Sequence, residues 1–310
     1  LKVAQIGTGE WGKNHARVLN NLGVLTAVCD INEENAKIYG KKYSVNHYNS
    51  IESLLSSQEF DAAFVCTPTS THASIASQLI QAKKHTFVEK PMTYLSKKGK
   101  ELVELAKKNK VFLSCGYIER FNPAVSTVKN FIKSKEFGDL LMLEFHRENV
   151  MHSRIKDVGI IYDTAVHDID TAMWLFDDVP KVVFAKAGQI RHEHEDFVTM
   201  MLGFDNNKVA IISSNWITPT KIRTFNAVCT EAVISGNFIT QEIKIEKLHH
   251  TEIPRHVQQE PLQQEIKSFL GAIENKNELI VEPEQAVNVT KIAEAALLSS
   301  KKGIPIYLDV

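Results

Sequence analysis

The chain has 310 residues, 44% hydrophobic and 24% charged, with 36 basic against 37 acidic side chains and a formal net charge of −1. That length buries a sizeable core without staples, and the charge balance leaves no excess of cations to draw the chain to a nucleic-acid backbone or an anionic membrane. Nucleic-acid binding is therefore disfavoured as the main role, and no apolar run approaches the roughly 20 residues of a membrane span.

The chain opens on a strand, Val3 to Ile6, where a signal peptide is not expected. Strand-length apolar runs recur at Leu25 to Cys29, Ala62 to Cys66, Thr86 to Val88 and Val111 to Cys115. Helical patterns separate them at Trp11 to Leu22, Asn32 to Tyr43, Ser50 to Leu55, His72 to Ala82 and Ser96 to Lys108. Short apolar strands alternating with amphipathic helices predict βαβ units around a buried, doubly wound parallel sheet. Cys29, Cys66 and Cys115 each end an apolar run, and with Cys229 they form no C-x-x-C pair. Reduced thiols in the cytoplasm are the expectation.

The pattern changes after Asn122-Pro123. A helix is predicted from Ala124 to Ser134, then strands at Leu140 to Val150, Lys181 to Arg191, Asp196 to Phe204, Lys208 to Trp216, Thr224 to Thr230 and Ala232 to Ile234. Several alternate apolar with polar residues, as in an antiparallel sheet with one covered face. One helix, Asp163 to Phe176, interrupts them, and two more close the chain near Leu262 to Asn275 and Glu284 to Ser300. The fold class is α/β: a domain over residues 1–118 built on a parallel sheet, then an α+β domain over 119–310 with a large, mainly antiparallel open sheet. With few helices to cover that sheet, its bare face predicts a homodimer or homotetramer.

Gly7-Thr8-Gly9-Glu10-Trp11-Gly12 matches G-x-G-x-x-G and joins the first strand to the first helix, the context this motif requires. The glycines allow a tight turn and bring backbone N–H groups and a helix N-terminus to a pyrophosphate; the plainer reading is a helix-capping turn. Asp30 closes the second strand 21 positions beyond Gly9. A carboxylate there accepts from ribose hydroxyls and repels a 2′-phosphate, which favours NAD over NADP, although it also serves as a cap for the helix near Asn32. Thr67, Pro68, Thr69 and His72 follow the third apolar run at the ligand-binding edge of such a sheet. Glu89-Lys90-Pro91 ends the fourth, the proline restricting the backbone of Lys90. Lys90 is a reactive ammonium or a plain surface lysine.

Asp163 and His167 lie four apart and share a face on a helix. A carboxylate one turn from an imidazole makes a general base or simply a stabilising ion pair. Asp168 and Asp170 fall on other faces and are expected to cap or solvate the helix. His192-Glu193-His194-Glu195 looks like a metal set but reads as a solvated turn between strands, and no metal is expected.

Taken together, Gly7 to Gly12, Cys66-Thr67-Pro68, Glu89-Lys90-Pro91, Asp163-x-x-x-His167, Pro261-Leu262 and Ile292-Ala293-Glu294-Ala295-Ala296 resemble the Gfo/Idh/MocA oxidoreductases over nearly the whole chain. The resemblance implies a Rossmann first domain binding NAD through Gly7, Thr8, Gly9, Glu10, Trp11, Gly12, Asp30, Thr67, Pro68, Thr69, His72, Glu89 and Lys90. It implies that Lys90, Asp163 and His167 face the substrate: His167 takes the hydroxyl proton, Lys90 polarises the oxygen and Asp163 orients a hydroxyl. Glu119-Arg120-Phe121-Asn122-Pro123 resembles the branch acting on nucleotide-linked amino sugars. This makes Tyr117, Arg120, Asn122 and Tyr162 candidate substrate contacts. Arg120 would grip a diphosphate or form an interdomain salt bridge. A dehydrogenase of a free hexose or inositol, a glycosidase that oxidises transiently, and a non-catalytic sugar sensor are the alternatives on the same fold.

Overall fold

The computed structural model describes residues 1–57, 59–150, 158–255 and 257–308. It resolves into two compact units, Leu1–Tyr117 with Leu262–Val287, and Ile118–Pro261 with Asn288–Val310. A single boundary after residue 118 does not anticipate the return of residues 262–287 to the first unit.

In the first unit, β1 (Val3–Ile6), β2 (Leu25–Cys29), β3 (Asn46–Tyr48), β4 (Ala62–Val65), β5 (His85–Glu89) and β6 (Leu113–Gly116) form one sheet in the order β3-β2-β1-β4-β5-β6. Every pair is parallel. Each strand is followed by a helix or a crossover: α1 (Gly12–Asn21), α2 (Glu33–Tyr43), α3 (Ile51–Ser57), α4 (Thr69–Gln81) and α5 (Ser96–Asn109). The central strands are buried on both faces; every residue of β1 and β4 is at most 2% exposed, which is why they read as continuous apolar runs rather than alternations. Asn32 caps α2, its side chain accepting from the Glu34 and Asn35 amides, with Glu33 and Glu34 in the first turn where acidic groups suit the helix dipole. The strand order reverses between β1 and β4, the switch point at which such sheets bind ligands. Helix α8 (Pro261–Asn275) joins this unit through Phe269, whose ring meets Phe64 and Phe87 edge-on at 5.5 Å each.

The second unit begins with a 3₁₀ turn (Ile118–Phe121) and α6 (Pro123–Ser134), capped by Asn122. It continues through β7 (Leu140–Glu148), a π turn (Ile161–Ala165) and α7 (Val166–Phe176). Then come β8 (Val182–Gly188), β9 (Phe197–Gly203), β10 (Val209–Asn215), β11 (Ile222–Cys229), β12 (Val233–Asn237), β13 (Ile243–Glu246) and β14 (Thr251–Glu252). Helix α9 (Pro283–Lys302), which belongs to this unit from Asn288 on, and β15 (Ile306–Tyr307) follow. The sheet order is β14-β13-β12-β11-β7-β10-β9-β8-β15. All neighbours are antiparallel except β7 and β10, so the expected large, mainly antiparallel sheet is present.

One sheet face is core, with Leu143, Phe145, Met200, Leu202, Ile212, Phe225 and Ala227 each at most 1% exposed. On the other face Phe184, Met201 and Ile211 stand in one row across β8, β9 and β10, paired Phe184↔Met201 and Met201↔Ile211. They keep 40%, 43% and 37% exposure, so this row is uncovered within the chain. Among the described residues, no helix is long and apolar enough to cross a membrane.

Candidate functional site

The glycine turn is built as a cradle. Gly7 takes φ +81° and a Cβ there would stand 2.4 Å from Cys66 O, while a Cβ on Gly12 would stand 2.0 Å from Gly7 O. Both positions therefore require glycine so that α1 can start against the sheet. A Cβ on Gly9, by contrast, would meet nothing within 4 Å: the exposed backbone at the start of α1 faces open space. No side chain caps α1 and no acidic residue lies in its first turn, so the amides and positive dipole end are left for an anion. Helix α4 also begins without a side-chain cap or an acidic first turn, at the carboxyl end of the neighbouring strand β4. Two such helix starts at the switch point fit a dinucleotide pyrophosphate.

Asp30 sits half-buried beside this turn. Its Oδ2 accepts from Thr8 N at 2.7 Å and Thr8 Oγ1 at 2.6 Å, and Oδ1 accepts from Asn32 N at 2.9 Å. The helix cap is Asn32, so Asp30 instead holds the turn, with lone pairs remaining for ribose hydroxyls.

Glu89 is the hub of the first unit's site. Its Oε1 accepts from Trp11 Nε1 at 2.6 Å and contacts His15 Nε2 at 2.7 Å, and Oε2 accepts from Lys90 N at 3.0 Å. A Cβ on Gly116 would lie 2.8 Å from this carboxylate, so glycine there leaves it room. Burial pushes the Glu89 carboxyl up, but the contacts to His15 and Trp11 and the Lys90 charge outweigh it and hold the group below the usual carboxylate range. His15 is fully buried and escapes sequence reading, because a histidine on an apolar helix face carries no signal of its partner 74 positions on. Ligand-type atoms of His15, Cys66 and Glu89 lie within 4.8 Å of one another. The 2.7 Å contact between His15 and Glu89 is a hydrogen bond, too close for a cation to sit between them. Burial and the Glu89 charge hold the Cys66 thiol well above its ordinary value.

His72, expected at the cofactor, is 1% exposed. Helix α4 starts at Thr69, three residues before the expected position, so His72 falls inside it. Its Nδ1 lies 2.9 Å from Pro91 O and its Nε2 2.8 Å from Thr67 O, tying the end of β4 to the segment after β5. Thr67 Oγ1 accepts from Thr71 Oγ1 at 2.8 Å. The Lys90–Pro91 peptide bond is cis, and Lys90 keeps solvent access between buried Glu89 and buried Pro91.

In the second unit, every residue from Val158 to Met173 is buried except Asp163 and His167. Asp163 lies in the π turn and His167 in the first turn of α7. The expected single α-helix over this stretch is thus widened at its start, a feature frequent at functional sites. Glu195 shapes the start: its carbonyl accepts from Ile160 N at 2.9 Å and its Oε1 from Ile161 N at 3.2 Å. A Cβ on Gly159 would run into that carboxylate at 2.2 Å. Glu195 is therefore half-buried support for the turn rather than a solvated member of a His-Glu-His-Glu run.

Asp168 and Asp170 are fully buried, not capping or solvated as expected. Arg147 donates to Asp168 at 2.8 Å and to Glu119 at 3.0 Å; burial opposes its charge, but the two carboxylates hold it firmly protonated, above the ordinary guanidinium value. Arg120 grips Asp170 with Nε at 2.9 Å and Nη2 at 2.6 Å. Both side chains are 1% exposed and belong to the second unit, so Arg120 forms an ion pair within that unit. Asn122 is likewise interior: its Oδ1 accepts from Ala124 N, and its Nδ2 donates to Phe238 O at 3.0 Å and to Glu119 Oε2 at 3.1 Å. Tyr117 and Tyr162 are 1% and 2% exposed. The candidate substrate contacts thus sit in the interior.

Comparison with known proteins agrees with this geometry. A model described as "Oxidoreductase family, NAD-binding Rossmann fold" matches residues 1–117, and one described as "GFO/IDH/MocA C-terminal domain" matches residues 125–235. A UDP-N-acetylglucosamine 3-dehydrogenase of Acidithiobacillus ferrooxidans is 26% identical over 245 residues, 79% of this chain and 76% of that one. The solved structure of a protein with that name from the same organism superposes with a TM-score of 0.90 at 25% identity, covering 97% of this chain and 98% of that one. An inositol 2-dehydrogenase of Rhizobium meliloti is 25% identical over 321 residues, 96% of each chain. The chain belongs to the Gfo/Idh/MocA family of oxidoreductases, and its first domain is the family's NAD-binding Rossmann fold.

Proposed function

We propose that the chain is an NAD-dependent dehydrogenase of a sugar hydroxyl, with a UDP-linked amino sugar as substrate and Lys90, Asp163 and His167 as the groups that handle the hydroxyl. The carrying observation is the selective opening of a buried segment: from Val158 to Met173, only Asp163 and His167 are not buried. A packing role would bury that pair as it buries Asp168 and Asp170.

When bound, the nicotinamide ring accepts or returns the hydride of the reacting carbon. The protein supplies proton handling and orientation. His167 takes the hydroxyl proton as general base, Asp163 orients a neighbouring hydroxyl, and the Lys90 ammonium stabilises the charge developing on the oxygen. NAD is preferred over NADP because the Asp30 carboxylate, fixed by Thr8 and Asn32, would repel a 2′-phosphate. The UDP-sugar assignment draws on the relative of that name; the relative named as an inositol dehydrogenase supports the second reading, a free polyol or hexose. We place the protein in the cytoplasm on its four free cysteines, and as a homodimer or homotetramer through the uncovered sheet face. NADH absorbance during incubation with UDP-linked amino sugars, free hexoses and inositols tests the assignment. Reduction by UDP-sugars first supports it, and reduction only by neutral polyols moves it to the second reading.

A further inference from the structure

We propose that Arg223, with Lys221 beside it, forms an anion-binding subsite toward the start of α7 that recognises the phosphate or carboxylate of an acidic sugar derivative. The proposal rests on the dehydrogenase reading and narrows its substrate class.

The argument begins with strand register. Arg223 on β11 pairs directly with Arg147 on β7, two residues along from the pair Phe225↔Phe145. Side chains two apart on a strand share a face, so both arginines project to the core side of the sheet, where Phe145 and Phe225 are each 1% exposed. Like charges directly opposite each other destabilise a sheet. Arg147 is compensated by Asp168 and Glu119. Arg223 is half-buried, and although its carbonyl accepts from Phe238 N at 3.0 Å, its side chain makes no hydrogen bond or ion pair among the described residues. A guanidinium presents five donors in a planar fork matched to phosphate and carboxylate, and among the described residues that fork holds no side-chain partner.

The geometry runs toward the half-buried pair Asp163 and His167 through Arg147, which stands across from Arg223 in the sheet and holds Asp168, the residue after His167, at 2.8 Å. The carboxylates within electrostatic reach of Arg223 are Glu119, Asp168 and Asp163, of which the first two already serve Arg147. Burial, then the Arg147 charge, holds the Arg223 guanidinium below its ordinary value. Lys221, exposed and two residues earlier, is lowered by the Arg223 charge, by burial and by Arg147. The repulsion felt by both groups is relieved by an incoming anion. An anion held by Arg223 would bring the attached sugar ring toward the start of α7, where Arg147 opposite Arg223 binds Asp168 beside His167.

The test is calorimetric titration of the NAD-saturated protein with UDP, glucuronate and glucose, for wild type, Arg223→Met, Arg223→Lys and Lys221→Met. The wild type is expected to bind UDP or glucuronate more tightly than glucose, and the tighter of the two identifies the source as phosphate or carboxylate. Arg223→Met is expected to weaken that anion about thirtyfold or more while leaving glucose unchanged, with Arg223→Lys in between and Lys221→Met showing a smaller loss. The melting temperature of Arg223→Met is expected to match or exceed wild type, because a like-charge pair is removed; a structural role would lower it. Anion binding that survives Arg223→Met, or no preference for either anion, overturns the subsite. Failure of the two readings separates cleanly: neutral sugars oxidised with no anion bound removes the subsite alone. Arg223-dependent anion binding with no sugar oxidised removes the dehydrogenase reading alone.

Discussion

Asp163 and His167 flank the junction of a π turn with α7, and between Val158 and Met173 they alone are not buried. Immediately beyond His167 the chain turns its next acidic side chains inward, Asp168 to Arg147 and Asp170 to Arg120. One short helix thus divides four ionisable groups into an open pair and a buried pair.

The buried pair is structural, and its stability effect separates it from a substrate contact. Asp170→Asn leaves the Arg120 guanidinium uncompensated in the interior and is expected to cost about 3–5 kcal/mol. The double variant Arg120→Met with Asp170→Leu should recover most of that loss. Urea titrations of the three proteins check this; a single variant with unchanged stability but weakened substrate binding would instead return Arg120 to the substrate.

Asp30 is expected to set the choice of cofactor. Its Oδ2 holds both polar groups of Thr8, so Asp30→Ala removes a ribose acceptor and loosens the glycine turn together. NAD affinity is expected to fall about tenfold or more, within the range for a hydrogen bond to a charged group. NADP affinity should fall less or rise. Fluorescence titration with both dinucleotides gives the ratio, and a larger loss for NADP would reverse the assignment.

Acid sensitivity follows from Glu89. Its carboxyl lies below the ordinary range in the folded chain, so the folded state binds this proton more weakly than the unfolded one. The resulting stabilisation is present in full above the unfolded value, near 4.3, and is lost as pH falls through the folded value. Glu89→Gln should be markedly less stable than wild type at neutral pH, with the gap closing as the solution is acidified below about pH 4. Melting curves across that range report it; a constant gap would mean that the loss is one of packing alone.

The exposed row Phe184, Met201 and Ile211 is expected to be covered by a second copy of the chain. Light scattering should give a dimer or tetramer for wild type and a smaller species for Met201→Glu, since burying an unpaired carboxylate in an apolar interface is costly. A wild-type monomer would reject this.

Much of the fold was legible because periodicity carries it: β1 and β2 have the predicted bounds, and the glycine turn lies where its motif requires. Three kinds of feature were not legible. Strand β3 is Asn-His-Tyr, too short and polar to signal a strand, and it is defined only by its pairing with β2. The π turn leaves no mark in a pattern read at 3.6 residues per turn. Long-range pairing is also silent: Asp168 and Asp170 look like surface residues until Arg147, 21 positions away, and Arg120, 50 away, are brought to them. Arg223 is equally silent in the sequence, because its meaning depends on which residue stands across from it in the sheet.

The central claim is that Lys90 and His167 carry the proton chemistry of a dehydrogenase. Its most direct test is NADH formation by Lys90→Ala and His167→Ala, with the wild type's best substrate, alongside NAD affinity for each. The account predicts turnover lowered by about 10²–10⁴-fold in each variant with NAD affinity essentially unchanged for His167→Ala. Turnover near the wild-type rate in both variants would contradict it.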